Sequence, residues 1–594
     1  MRTTVIGFAL LALLTFSALA GAQTWSNLTN QPANNIGSPL LLTDGTVIVQ
    51  EIHTDGSGTG VWYRLTPNNT GSYINGTWSQ IASMPAGDAP EYYASAVLPD
   101  GRAIVEGGEY NGGSQDWTTL GAIYNPSTNA WTGVPPPSGW TTVGDAASVV
   151  LTNGTFMLAN CCTTQEALLN ASNLTWSSTG TGKADSNNEE GWTLLPSGDA
   201  LTIDITDSPN TELYSPSTQQ WTSAGITPVP LVALCETGPA VLRPDGTVIA
   251  FGANGNNAIY NSNTGIWSAG PSFPSGSGMA VADGPAALLP DGNVLVQASG
   301  QPTGTCTSPH YATGSNFYEF NGSSFTYVGT FDTWSYAGRM LVLPTGQVLW
   351  TNSRIGYAPN VQIYTPSGTY ESAWQPSITS VASTLNAGST NNLVEGTQFN
   401  GLSQGATYGD DAQMATNYPL VRITNNSTGH VFYCKTHNHS TMGVATGSET
   451  VSTEFDIPPT TETGASTLVV VANGIPSNSV SVSIVGASVS PTSINYGTFA
   501  PTSPSVSRNA TLTNTGTATI TISSIQLYKG LAFFITGTTC GSTLGVGSSC
   551  SITVTFSPSD GVNGINTDTL NIIDSAGTQT VSLTAKMVCG GGHC

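Results

Sequence analysis

Residues 238–252 read GPAVLRPDGTVIAFG, a short apolar run, a Pro-Asp-Gly turn and a second apolar run. Asp-Gly between two such runs is the strongest short-range hairpin signal, because the turn requires a residue at positive φ. The same text recurs six more times: SPLLLTDGTVIVQ (38–50), ASAVLPDGRAIVEGG (94–108), ASVVLTNGTFMLAN (147–160), GWTLLPSGDALTID (191–204), GPAALLPDGNVLVQ (284–297) and GRMLVLPTGQVLWTN (338–352). Their turn glycines, Gly45, Gly101, Gly154, Gly198, Gly246, Gly292 and Gly346, are spaced 56, 53, 44, 48, 46 and 54 residues apart. A period near 50 residues matches one four-stranded blade of a propeller.

A second repeat follows each hairpin, an aromatic or apolar residue and then an aromatic seven positions later. Tyr124/Trp131, Tyr214/Trp221, Tyr260/Trp267 and Tyr318/Phe325 carry it, with Leu169/Trp176 as a weaker copy. Hairpin, diglycine (kept only at Gly107-Gly108), Tyr and Trp at this spacing resemble the kelch repeat. That resemblance covers about residues 24–373 and implies an all-β, seven-bladed kelch-type propeller over residues 23–373. Trp25 precedes the first hairpin and is expected to close the ring as an outer strand of the seventh blade.

The repeat stops at Trp374-Gln375-Pro376. Residues 374–486 alternate in short strands (LVRITN, HVFYCKT, STLVVVAN, SVSVSIV), the pattern of an Ig-like sandwich. Residues 487–588 (INYGTF, ATLTNTGTATITISSIQL, CSITVTFSPSDG) resemble bacterial Ig-like modules of the ASH/choice-of-anchor group, and a Cys540–Cys550 disulfide fits that module.

Arg2, the apolar run Val5 to Leu14 and the small residues Ala18 to Ala22 read as a signal peptide over residues 1–22. The expectation is a secreted or cell-surface protein with no transmembrane segment. Nine Cys in an exported chain imply disulfides, with one Cys left over. Adjacent Cys161 and Cys162 are expected to bridge each other only with strain, so at least one should pair elsewhere. Cys589 and Cys594 close a CGGGHC tail over 589–594.

Charged residues are 8% of the chain against a usual value of about 25%. The formal net charge of −23 argues against nucleic acid as a partner, because phosphates need a basic face. It suits cations, neutral glycans or positively charged partners. With 39% apolar residues and 13 Trp, 20 Tyr and 16 Phe, the chain has ample core.

In a propeller the innermost strands converge on one axis, so residues just ahead of each hairpin strand face one mouth. Counted from the residue that precedes each turn glycine, Asp145, Glu189 and Asp283 stand eight before; Glu91, Glu236 and Tyr336 stand nine before. With Tyr92, Glu190 and Arg339 they form the candidate ligand-binding set. Like charges so gathered need a cation, protonation or water. A calcium-type oxygen site, an acid/base pair for glycan cleavage and a sugar-binding mouth all remain open. Trp140 and Trp334, outside the repeated aromatic pattern, are candidates for stacking on a sugar.

A second cluster, HVFYCKTHNHSTMG (430–443), offers His437 and His439 as metal ligands, with an interdomain hydrogen-bonding role as the plainer reading. Propeller followed by Ig-like domain, with Thr436-His437 in the latter, resembles the galactose-oxidase-like copper radical enzymes. That resemblance implies copper held by a Tyr-His dipeptide on a late blade, a Thr-His pair, and a Tyr cross-linked to a Cys on early blades. Here the late dipeptide is Tyr336-Ala337 and the early positions are Tyr92 and Asp145, so the chemistry departs from the pattern. The leading expectation is a monomeric binding protein for a glycan or other envelope ligand. A copper oxidoreductase with a degenerate site and a carboxylate-based glycan-cleaving enzyme are the alternatives.

Overall fold

Seven antiparallel sheets follow one another along residues 24–365 of a computed structural model; six have four strands, and the sixth-repeat sheet has six, gaining Met279–Ala280 and Ala406–Thr407. The structure describes residues 23–353, 359–409, 413–516 and 519–588; the signal-peptide segment and the Cys-Gly tail lie outside them. The chain is all-β, and its helical segments among the described residues are three single 3-10 turns.

Each hairpin closes the same way. The Gly45, Gly101, Gly154, Gly198, Gly246, Gly292 and Gly346 amides donate to the carbonyl three residues back, at 2.8–3.0 Å. All seven have φ between 75° and 89°. Only the glycine, not the preceding Asp, takes the left-handed conformation, so these are three-residue loops of the type I plus bulge class. Asp44 then serves as acceptor: its Oδ1 binds the Thr46 amide at 3.0 Å and hydroxyl at 2.6 Å.

The aromatic repeat is a set of cross-strand neighbours. Tyr124 faces Trp131, Tyr214 faces Trp221, Tyr260 faces Trp267 and Leu169 faces Trp176 in the two outer strands of their sheets. In the sixth repeat Tyr318 stands further from the turn than its counterparts, so Phe325 faces Phe320 and Tyr318 faces Tyr327. Each outer-strand indole also pegs its sheet to the preceding one. Trp131 Nε1 donates to Ala82 O (2.9 Å), Trp176 to Pro135 O (2.7 Å), Trp221 to Glu166 Oε2 (2.7 Å) and Trp267 to Thr211 Oγ1 (3.0 Å).

The last repeat sheet borrows its outer strand from the beginning of the described chain. Thr24–Asn27 pairs antiparallel with Gln362–Thr365. Trp25 packs on Phe317, Phe331, Trp350 and Tyr364 with ring centroids 4.8–6.1 Å apart, and its Nε1 donates to Val328 O at 3.0 Å. Trp25→Ala is therefore expected to cost about 3 kcal/mol, the low end for a large aromatic because the ring is half-exposed. A drop in the urea midpoint at constant m-value measures it; a shift below about 1 kcal/mol would show the closing strand to be dispensable.

Residues 377–485 build a nine-stranded sheet system, and residues 487–587 build a four-stranded and a five-stranded sheet. The latter pair encloses its own core, including Tyr496, Phe533 and Phe556, and Cys540 is bonded to Cys550. The former has a core around Val421, Cys434 and Phe455, yet Ala406, Tyr408, Met414, Tyr418, Met442 and Val471 belong to the core of the repeat sheets. That sharing fixes one end of the repeat assembly. Thr436 and Met442 donate backbone hydrogen bonds to Thr43 and Thr152 beside the hairpin turns, and Gly474 lies backbone-to-backbone against Gly346. The hairpin-turn end is covered, and the opposite end carries the candidate mouth.

Candidate functional site at the mouth

The innermost strands start at Ala94, Ser148, Thr193, Ala240, Ala286 and Gly338 in the second to seventh repeats. Just ahead of them the backbone is unusual. Tyr92 (φ 52°), Glu189 (54°), Leu234 (54°), Cys235 (66°) and Asp283 (44°) all adopt the left-handed region without being glycine. Such conformations cost on the order of 1–3 kcal/mol each and persist where surrounding structure over-determines them, typically at functional sites.

Two loops outside the repeat text reach over this end. Strand pairing leaves long insertions between Glu106 and Gly121 and between Gly300 and Ser315. The second is tied down by a Cys235–Cys306 disulfide and delivers Tyr311, whose hydroxyl donates to Glu236 Oε1 at 2.9 Å. Burial and the neighbouring carboxylates of Asp283, Glu236 and Glu189 push the Tyr311 phenol far above its ordinary range. The first insertion brings Glu109 and Tyr110. The Tyr110 phenol is raised by burial, then Glu109, with Glu91 and Asp145 also contributing.

The floor is made by the downstream chain. Ala406–Thr407 adds to the innermost strand Ala286–Leu288, Gln404 Oε1 accepts the Leu194 amide at 2.7 Å, and Tyr418 O–H donates to Leu41 O. This plug carries Tyr408 up the axis, where its hydroxyl donates to Tyr336 O at 2.8 Å. The Arg339 guanidinium lies 3.4 Å from the Tyr408 ring centroid and donates to Tyr336 O at 2.6 Å. Tyr92 also faces Arg339, at 5.6 Å; burial raises its phenol while Arg339 opposes the rise. Trp334 and Tyr336 stack with centroids 5.6 Å apart and planes 16° from parallel, and Tyr311 packs edge-on to Tyr336 at 5.0 Å.

Tyr92, Asp145, Glu189, Glu236, Asp283, Tyr336 and Arg339 are thus gathered at one end of the axis. Glu91 turns off it: its Oε1 accepts the Gly113 amide at 2.8 Å, and its charged neighbour is Asp55. Glu190 leaves the set altogether. Glu189 takes a left-handed backbone in the bend ahead of strand Thr193–Leu194, and its neighbour Glu190 is buried. There Lys183 Nζ lies 3.0 Å from Glu190, 2.5 Å from Glu212 and 3.8 Å from Asp204, all buried. Asp185, Glu190 and Asp204 hold carboxylate oxygens within 4.8 Å of one another, a ligand-like spacing. Lys183 supplies positive charge at that place, so the trio reads as a structural ion cluster.

His437 and His439 lie at the covered end. His437 sits on strand Val431–His437, whose Thr436 lies against the Thr43 turn at the covered end. His437 Nε2 is 3.1 Å from Asp456 Oδ1, and His439 Nδ1 is 2.8 Å from Thr453 Oγ1. Burial, reinforced by His437, lowers the His439 pKa to about 3 and keeps that ring neutral. Separate partners hold the two rings, and both partners belong to the same 374–486 unit, so these hydrogen bonds are internal to it rather than interdomain as expected. Copper chemistry of the radical-oxidase kind does not fit this arrangement: Tyr336 is met by Trp334, Tyr311, Tyr408 and Arg339, while the Thr436-His437 pair lies at the covered end.

Sequence reasoning missed Glu109, Tyr110, Tyr311 and Tyr408. A signal existed for the first three: 14 residues separate Gly246 from Tyr260, but 23 separate Gly101 from Tyr124 and 26 separate Gly292 from Tyr318. The extra length is the insertion that carries them. Tyr408 had none, because it comes from outside the repeat.

No family model matches the chain. Over 211 residues it is 28% identical to Kelch-like protein terF of Aspergillus terreus, a stretch covering 33% of this chain and 43% of that protein. The match therefore spans less than half of that relative's length. Among solved structures, a catalytically inactive virginiamycin B lyase from Staphylococcus aureus with quinupristin aligns at TM-score 0.40 and 8% identity, covering 58% of this chain and 98% of that one. YCF48 bound to D1 peptide aligns at 0.39 and 11%, covering 58% and 95%. YjhT aligns at 0.33 and 16%, covering 57% and 96%. A kelch-like relative and an all-β chain of curled repeat sheets are consistent with a binding scaffold. No helix of the described residues is long and apolar enough to cross a membrane.

Proposed function

We propose that the protein is an exported, monomeric binding protein for a hydroxyl-rich neutral glycan of the cell envelope. In this reading residues 23–373 are a seven-bladed kelch-type propeller closed by the Trp25 strand. Residues 374–486 are an Ig-like unit that plugs its axis, and residues 487–588 are a second Ig-like unit serving as spacer or attachment module. The observation that carries the ligand class is the company kept at the mouth. Tyr311, edge-on to the stacked Trp334–Tyr336 pair, donates to Glu236 and has Asp283 and Glu189 as further charged neighbours.

A pyranose ring has C–H faces that stack on aromatic rings and hydroxyls that donate to carboxylates, so it satisfies both halves of such a surface. The left-handed backbone at Tyr92, Glu189 and Asp283 supports a surface shaped for a ligand rather than for stability. Isothermal titration with purified envelope polysaccharide fragments tests the reading. Trp334→Ala is expected to weaken binding about tenfold or more, some 1.4 kcal/mol, and the triple amide variant Asp145→Asn, Glu236→Gln, Asp283→Asn should weaken it further. Binding unchanged in both variants would remove the mouth as the site. New reducing ends released from the fragments, and lost in Glu236→Gln, would favour the glycan-cleaving alternative instead.

A further inference from the structure

Cys161 and Cys162 follow strand Phe156–Ala159 of the third repeat, at the mouth end, and their sulfurs are 2.7 Å apart. Cys161 is buried and Cys162 is exposed. Cys162 has a left-handed backbone, φ 63°. The Cys161 amide donates to Val143 O and the Cys162 amide to Asn187 O, both at 2.8 Å, while Asn188 Oδ1 accepts from Cys162 Sγ at 3.2 Å. The pair therefore ties the segment leading to Asp145 to the segment leading to Glu189. The sequence expectation that one of them bonds elsewhere is not met among the described residues. Cys235 is bonded to Cys306, Cys540 to Cys550, and Cys434 is buried in the core of the 377–485 sheets.

We propose that Cys161 and Cys162 are a vicinal dithiol that closes reversibly to a disulfide, a redox-modification site on the rim of the mouth. The oxidant is a disulfide of the thiol–disulfide exchange class. Cys162, exposed and with its sulfur hydrogen-bonded by Cys161, attacks as thiolate and forms a mixed disulfide, releasing one thiol. Cys161 then gives up its proton and attacks Cys162 Sγ, closing the ring and releasing the second thiol. Two electrons and two protons leave the pair, and the incoming disulfide is reduced to two thiols. Adjacent Cα atoms are held about 3.8 Å apart, against about 4.4–6.8 Å for ordinary bridges, so this ring is far easier to reduce than a structural disulfide. The two cysteine amides hold the carbonyls of Val143 and Asn187, so the closed and open forms position Asp145 and Glu189 differently. The thiol chemistry does not depend on which ligand the mouth takes.

Alkylation with peptide mapping on the full chain tests this. After exposure of the native protein to oxidised glutathione, the peptide carrying both residues should escape iodoacetamide under denaturing conditions and weigh two hydrogens less than its dithiol form. Mild reduction of the native protein should make both sulfurs alkylatable while Cys235–Cys306 and Cys540–Cys550 stay closed. Cys434 alkylates in either state once the chain is denatured and serves as internal control. Cys162→Ser should abolish the two-electron transition and leave Cys161 alkylatable throughout, a readout that needs no ligand. Both thiols alkylated after oxidation, or either found bonded to Cys589 or Cys594, would overturn the proposal.

Discussion

Lys183→Met is expected to destabilise the folded chain by about 3–5 kcal/mol, the cost of leaving buried carboxylates without their counter-charge. Lys183 Nζ and the Glu190 carboxylate are fully buried, and Glu212 and Asp204 are nearly so. Glu190, Asp204 and Glu212 share that single ammonium, and Asp185 lies beside Glu190 and Asp204. Asp185 is accommodated by the amides of Ser186, Thr206 and Asp207, and Glu190 by Lys183 and the Thr202 hydroxyl. Asp204 is nearly fully buried beside Glu212, and Lys183 at 3.8 Å is its counter-charge. A urea titration at unchanged m-value reads the loss. Adding Glu190→Gln and Glu212→Gln to Lys183→Met should restore part of the stability, since fewer buried charges then go unpaired. By contrast Arg102→Ala, which breaks the half-exposed Arg102–Asp100 bridge, should cost under about 1 kcal/mol. A Lys183→Met loss as small as that would mean the cluster is held by bound protons rather than by the ammonium.

Stability should also fall as pH rises from about 5 to 9, on the order of 1.4 kcal/mol for each unit by which a buried acid is displaced. Burial pushes Glu166 and Glu190 up to about 8, Asp204 to about 7 and Asp88 to about 6, from ordinary values of 4.5 for Glu and 3.8 for Asp. A carboxyl whose pKa is higher folded than unfolded favours the folded chain fully below its unfolded value, and that contribution is lost as pH climbs through the folded value. The window here therefore runs from about pH 4 to pH 8. Because Glu190, Asp204 and Glu166 sit around one ammonium, they titrate as a linked group and their shifts do not add. Thermal midpoints at pH 5, 7 and 9 check the sign; a midpoint that rises across that range would contradict it. Gly180 belongs to the same device: a Cβ there would lie 1.3 Å from Glu166 Oε2, so only glycine lets that carboxyl reach the Trp221 indole.

Hairpins and aromatic pairs were legible because the interactions that make them are short-range. A turn is decided within four residues by which of them tolerates positive φ, and glycine marks all seven. A Tyr or Leu and a Trp seven apart face each other across a two-strand outer hairpin in the second to fifth repeats, which reads directly off the chain. Even the convergence of Asp145, Glu189, Glu236 and Asp283 followed from register, since a repeated hairpin brings equivalent positions to the same end.

Where adjacent residues competed for one place, the sequence alone could not choose. Glu189 and Glu190 are chemically alike; only the buried ammonium of Lys183 draws Glu190 inward. Glu91 and Tyr92 are separated in the same way, by the Gly113 amide on one side and Arg339 on the other. His437 matched a copper-enzyme motif, but its strand packs on the hairpin turns, and the axis is reached instead by the plug carrying Tyr408. At least one of Cys161 and Cys162 was expected to pair elsewhere; both are free, and their amides, donating to the carbonyls of Val143 and Asn187, hold that turn with the sulfurs 2.7 Å apart. What the sequence determined by itself was the repeat, because local backbone sterics and cross-strand packing act within one sheet. What the tertiary structure decided was which side chain faces the mouth and what forms its floor, because burial of charge and docking of a distant segment depend on neighbours that only the assembled sheets provide.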